Sequence, residues 1–257
     1  ELLPVGSVVE HNETQDAIAA GILDGHITDT SYFSGKDPAF GLIANPVGAW
    51  SDPQEMFRFM EYGGGKELMN SLVEPYGLHF IGATTPGLEA FVSAVPLDGV
   101  DDLKGLKMRI PGLGGEVLKR AGGTPVTLPG GELFTSLQTG AIDATEWVGP
   151  WNDYFLGFHR EAKFHYGPGF HEPGSALALG LNRSKWDSLT PTEQAIIRTA
   201  AGEVNNRSVG EFTYQNGVYL EKLVNEEGVQ LRQFPEDVMA RVQEVSADIR
   251  SDAGKTG

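Results

Sequence analysis

The sequence predicts an α/β protein built as two lobes, and three observations carry that reading. From Val100 onward short apolar strands alternate with short helices, the pattern of parallel βαβ units with right-handed crossovers. A helix, a glycine and an apolar step into aspartate occur twice, at Asp16–Asp24 and at Ser136–Asp143, which suits lobes made from similar units. A length of 257 residues fits one large domain or two lobes, and the 34 glycines and 15 prolines are spread along the chain as turns between short elements.

The elements follow in order. Asn12–Leu23 reads as an amphipathic helix with Asn12 or Thr14 as N-cap and Gly21 near its end. Ile27–Phe33 is expected as a strand entering the turn at Ser34–Pro38. Asp52–Tyr62 is a second helix, with Pro53 in its first position and Met56, Phe57, Phe59 and Met60 on an apolar face. Lys66–Tyr76 is a third helix, leading to a strand at His79–Ala83. Then come a strand at Lys107–Ile110, a helix at Gly114–Ala121, a strand at Pro125–Thr127, a helix at Glu132–Thr139 and a strand at Ala141–Glu146. Thr190-Pro191-Thr192-Glu193 supplies an N-cap, a proline at N1 and a capping-box glutamate, so a long helix is expected to about Asn225, with Gly202 and Gly210 as points where it bends or breaks. A long helix in that position acts as a brace or hinge, or simply packs. Gln230–Gln233 is a short strand and Pro235–Asp248 a last amphipathic helix. The lobes are drawn at 1–97 and 98–182, with 183–257 returning across both.

Composition excludes several function classes. A formal charge of −16 without any basic run argues against nucleic acid, because a phosphate-binding surface needs clustered Lys and Arg. The absence of cysteine removes disulfides, zinc thiolates and thiol nucleophiles. No apolar run reaches the roughly 18–20 residues that span a bilayer, so no membrane insertion is expected. The chain opens on Glu1 without an initiator methionine, so it reads as processed or trimmed.

Chemistry-bearing residues concentrate between Asp102 and Gly174. Arg109 ends a strand between apolar neighbours, where its guanidinium forks onto a ligand carboxylate or forms a surface ion pair. Glu146 and Trp147 end another strand, and Glu172 follows His171 in a Pro/Gly loop. Two carboxylates with backbone carbonyls are hard oxygen donors, suited to Na⁺ or Ca²⁺ rather than zinc. His159, His165 and His171 recur at six-residue spacing, which puts no pair on one helical turn, and HExxH and GxSxG are absent. Gly112-Leu113-Gly114-Gly115 precedes a helix but is not a nucleotide fingerprint.

The runs DDLKGLKMRIPGLGGEVL, LPGGELFTSLQTGAIDATEWVGPWNDYFLGF and YGPGFHEPG, with SYFSGKDPAF and EYGGGKELMNSL before them, closely resemble the substrate-binding subunits of tripartite ATP-independent periplasmic (TRAP) transporters of the DctP family. The likeness is greatest to the branch that binds 2-oxo and 2-hydroxy monocarboxylates with a metal ion. It implies a periplasmic, non-enzymatic protein with two α/β lobes, a ligand cleft between them and a long bracing helix, serving a TRAP membrane permease and in some relatives forming a homodimer. It also implies that Arg109 pairs with the ligand carboxylate, that Glu146, the Trp147 carbonyl and Glu172 hold a Na⁺ or Ca²⁺ ion bridging that carboxylate, and that Tyr32 and Phe33 lie near the ligand.

Three departures qualify the likeness. Leu88 stands where that branch supplies a metal-binding glutamine, with Glu89 next to it as a substitute contact to the ligand. Val92 and Ser93 replace two bulky aromatics, which predicts a roomier pocket. The family's first strand and helix, and its final helices, have no counterpart in the chain. An alternative class is a metal-assisted lyase or hydrolase using Glu146 or Glu172 as base, and a third is a ligand-sensing module with the same pocket.

Overall fold

The computed structural model describes residues 1–48, 52–85, 87, 89–167, 169 and 174–253. In chain order the elements are α1 (Thr14–Ala19), β1 (Gly25–Asp29), α2 (Ala39–Ala44), α3 (Pro53–Tyr62), α4 (Gly65–Val73), β2 (Leu78–Thr84), β3 (Phe91–Ser93), β4 (Lys107–Arg109), α5 (Gly112–Arg120), β5 (Thr124–Val126), α6 (Leu133–Gln138) and β6 (Ala144–Glu146). They continue with α7 (Pro150–Leu156), β7 (Phe164–Tyr166), β8 (Leu177–Asn182), α8 (Arg183–Ser188), α9 (Pro191–Asn225), β9 (Gln230–Arg232) and α10 (Glu236–Ala253).

The chain forms two compact units. One comprises residues 1–44, 54–85 and 175–209, the other 45–53, 86–174 and 210–257. The sequence reading places lobes at 1–97 and 98–182 with 183–257 returning across both; the units draw on more chain segments than that, because strand partners are recruited from far away in sequence. β8 inserts between β1 and β2 and pairs antiparallel with both, so the first unit's sheet contains residues from both halves of the chain. Gly25 is what permits its pairing: a Cβ there would collide with the Leu181 side chain and the Gly180 carbonyl.

Two expectations in this unit are corrected. The strand foreseen at Ile27–Phe33 ends at Asp29, whose carboxylate accepts the Ser31 amide at 2.7 Å and caps a 3₁₀ turn over Thr30–Phe33. The helix foreseen to Leu23 stops at Ala19, because Gly21 turns the chain at φ +74° and the Ile22 amide bonds back to Ala17. α3 matches its prediction, with Met56 and Met60 one turn apart and buried.

The second unit holds a six-stranded sheet in the order β5-β4-β6-β3-β7-β9. Its β5, β4 and β6 are parallel, as the βαβ reading requires, whereas β3 runs antiparallel to both β6 and β7. One face carries a core of Met108, Ile110, Val117, Leu118, Tyr166 and residues of α10 such as Val238 and Val242. The opposite face packs Val92, Leu133, Leu137, Ile142 and Phe158. Period-two alternation therefore sends Arg109, between Met108 and Ile110, to the second face.

The capping box at Thr190 and Glu193 forms, with amide contacts of 2.8 and 3.3 Å, and α9 runs 35 residues through Gly202 and Gly210 without a break. Glycine weakens a helix by about 1 kcal/mol relative to alanine but leaves the backbone bonds available. Residues 191–209 of α9 belong to the first unit and 210–225 to the second. No helix among the described residues is long and apolar enough to cross a membrane.

Candidate functional site

Arg109, Glu146 and Trp147 come together at the ends of the adjacent parallel strands β4 and β6 of the second unit. Arg109 and Glu146 form an ion pair between Nη1 and Oε1, with their side chains 3% and 2% exposed. The guanidinium also donates from Nε to the Leu128 carbonyl at 3.2 Å and from Nη1 to the Glu146 carbonyl at 3.4 Å. Its carbon lies 5.2 Å from the centre of the Trp147 ring, so the indole walls one side of the cation. Thr145 donates its hydroxyl to the Glu146 carbonyl at 2.9 Å, fixing the last peptide of the strand.

Gly130 makes room for this arrangement. A Cβ at that position would stand 2.8–2.9 Å from Trp147 Cζ2 and Cζ3, closer than such atoms approach. The loop between β5 and α6 and the indole are therefore shaped to one another. Nothing in a sequence pattern marks that glycine among the many others.

Burying an arginine and a glutamate together removes two hydration shells, and their attraction offsets that loss only when the geometry is close. A cluster of this kind can exchange partners: a ligand carboxylate replaces Glu146 on the guanidinium while a cation takes Glu146. Glu146 and the Trp147 peptide carbonyl are oxygen donors of the kind Na⁺ and Ca²⁺ accept. Among the described residues no three His, Asp or Glu gather as a metal cluster. Leu88, His171 and Glu172 lie outside the described residues.

The other residues singled out in the sequence sit elsewhere. Glu89 is buried in the second unit, and its carbonyl accepts the Gly169 amide at 2.9 Å. Tyr32 and Phe33 belong to the first unit. Tyr32 lies 4.1 Å from the His11 ring, and Phe33 is a core residue, 1% exposed, between His26 and Phe40. The second unit holds another buried polar pair, Asp153 on α7 and His165 on β7, both 2% exposed; of the two, only His165 stands out in the sequence, and only for its spacing. An aspartate three residues past a helix-opening proline was the available signal.

The family model for DctP, bacterial extracellular solute-binding protein family 7, matches residues 1–254. The monocarboxylate 2-oxoacid-binding periplasmic protein of Nostoc sp. PCC 7120 is 35% identical over 246 residues, which are 95% of this chain and 67% of that protein. A TRAP periplasmic solute-binding protein from Colwellia psychrerythraea, solved with calcium and pyruvate, is 32% identical with a TM-score of 0.89 over 95% of this chain and 75% of its own. Another from Pseudoalteromonas atlantica, solved with sodium and pyruvate, is 32% identical with a TM-score of 0.87 over 96% and 75%. The chain spans about two thirds of the length of its relatives, 67% for the Nostoc protein and 62% for an Escherichia coli 2,3-diketo-L-gulonate-binding protein. The family model and these relatives are described as solute-binding proteins, and none of them points to the lyase or hydrolase alternative. By the extent of the family match, the chain belongs to the bacterial extracellular solute-binding proteins of family 7.

Proposed function

We propose that this chain captures a 2-oxo or 2-hydroxy monocarboxylate together with a Na⁺ or Ca²⁺ ion in the periplasm and delivers it to the permease of a TRAP transporter. The observation that carries the reading is the buried Arg109–Glu146 pair beside Trp147. In this reading the Arg109 fork takes the ligand carboxylate, while Glu146, the Trp147 carbonyl and Glu172 hold the cation. The cation supplies positive charge against which the carboxylate and the neighbouring 2-oxo or 2-hydroxyl oxygen orient.

Charge balance links the cation to Glu172. Arg109, Glu146, Glu172 and a ligand carboxylate sum to −2, which Ca²⁺ neutralises. With Glu172 turned away from the cation the remaining charge is −1, which Na⁺ neutralises. The calcium-bound and sodium-bound relatives both fit this scheme. The homodimer that the family resemblance implies for some relatives belongs to the same proposal, with a dimer expected in sedimentation velocity at micromolar concentration.

A thermal-shift screen tests the function. Pyruvate and longer 2-oxo and 2-hydroxy monocarboxylates should raise the unfolding temperature in a concentration-dependent way, as mass action demands, with no turnover. Addition of chelator in sodium-free buffer should abolish the response, and Na⁺ or Ca²⁺ should restore it. A panel in which only sugars or amines stabilise the protein would refute the ligand class.

A further inference from the structure

Four buried polar atoms in the second unit make no hydrogen bond of ordinary geometry: both carboxyl oxygens of Asp153 and both ring nitrogens of His165. The two side chains face each other, with His165 Nε2 3.7 Å from Asp153 Oδ2. That distance is a contact looser than a hydrogen bond. Burying such groups costs free energy, and a hydrophobic pair of the same volume serves folding as well or better. Packing alone therefore does not account for them.

Their place in the fold does. The chain leaves β6 through Glu146 and Trp147, turns at Val148 and Gly149, and enters α7 at Pro150. Asp153 lies in the first turn of α7, and the amides of Val148 and Gly149 act electrostatically on its carboxyl group. Burial first, and then the Glu146 charge, push Asp153 well above the ordinary carboxyl range. Burial holds His165 down at about 4, so the imidazole offers no compensating charge. Both shifts favour the uncharged forms of the two side chains. His165 pairs with Val92 across β3, and β3 in turn pairs with β6. The path from Glu146 through the turn to Asp153 thus returns to the same sheet at β7.

We infer that Asp153 and His165 are positioning residues that tie the turn after Glu146–Trp147 to strand β7, and so set the directions of the Glu146 carboxylate and the Trp147 carbonyl toward ligand and cation. This inference rests on the binding function proposed above. Asp153 touches neither partner; it acts through the Val148 and Gly149 amides.

The test compares the parent with Asp153→Asn and with the double substitution Asp153→Leu, His165→Phe. Pyruvate affinity is measured calorimetrically at saturating Ca²⁺, with unfolding temperature and amide hydrogen exchange read on the same samples. Asparagine retains an acceptor for the amides and offers a donor to His165, so its Kd should stay within about threefold of the parent. The double variant should unfold at or above the parent temperature yet bind pyruvate at least tenfold more weakly. Its Val148 and Gly149 amides should exchange at least tenfold faster, with the rest of β6 unchanged. Unaltered affinity and unaltered exchange in a stable double variant would overturn the inference, as would an asparagine variant as impaired as the double one. A parent that binds no 2-oxo acid would defeat the functional reading instead, and the exchange rates would still decide the positioning role.

Discussion

Changing Glu146 to Gln probes the buried pair most sharply. The substitution keeps volume and one oxygen but removes the negative charge that Arg109 faces, in a place where the two side chains are 3% and 2% exposed. Breaking a buried ion pair from one side costs about 3–5 kcal/mol, because the remaining charge stays desolvated. Two carbonyls, of Leu128 and residue 146, still accept from the guanidinium, which places the cost near the lower end, about 3 kcal/mol. For a chain of this size that lowers the unfolding temperature by roughly 6–12 °C. The companion variant Arg109→Met, Glu146→Leu removes both charges and should recover most of the loss. Circular dichroism melts at pH 7.5 measure both. Glu146→Gln should also weaken the response to Ca²⁺, since one of the two carboxylates proposed for the cation is gone. A loss under about 1 kcal/mol, the value of an exposed pair, would refute the reasoning that the site holds a desolvated, mutually neutralised cluster.

Three further outcomes follow from the same physics. Gly130→Val should displace the Trp147 indole and weaken pyruvate binding at least tenfold while leaving the α5–α10 core intact, as read by calorimetry and far-ultraviolet circular dichroism; unchanged affinity would separate Trp147 from the site. Glu172→Gln should shift cation preference from Ca²⁺ toward Na⁺ in thermal-shift titrations, and an unshifted preference would remove Glu172 from the cation's ligands. His26, held at about 4 in the folded chain by burial and by nearby His11, refuses a proton that the unfolded chain accepts near 6.5. Its stabilising contribution is complete above pH 6.5 and lost as pH falls toward 4, at up to about 1.4 kcal/mol per pH unit. His26→Gln should flatten the acid limb of a melting-temperature profile, whereas parallel profiles for parent and variant would contradict this assignment. On that limb the lowered pKa of His165 and the raised pKa of neighbouring Asp153 act with opposite signs.

The parts of the fold that were legible are those encoded locally. The Met56–Met60 spacing, the Thr190–Glu193 box and the parallel β4–β5–β6 run each announce themselves within a few residues. Elements dictated by distant pairing were not. β8 is apolar, and its place between β1 and β2 makes it a strand; β3 is three residues, and its middle residue Val92 pairs with Thr145 and His165, 53 and 73 positions further along the chain. α2 follows Asp37-Pro38, and the Asp37 carboxylate caps it by accepting the Ala39 amide at 2.8 Å, a signal present in the sequence but passed over.

The candidate site divides in the same way. Arg109 stood out because a permanent cation between apolar strand residues needs a partner, and Glu146 because a carboxylate beside Trp147 needs one too. That they would be partners of each other was hidden, since it depends on β4 and β6 lying side by side. The Asp153–His165 contact was hidden for the same reason, with β3 intervening between β6 and β7.

The most direct measurement is a calorimetric titration of pyruvate into Ca²⁺-loaded protein, comparing the parent with Arg109→Gln after both have been stripped of bound ligand by unfolding and refolding. Saturable one-site binding in the parent and its loss in the variant is the outcome predicted for an arginine that holds the ligand carboxylate. Equal affinity in the two proteins, or no pyruvate binding by the parent, would contradict it.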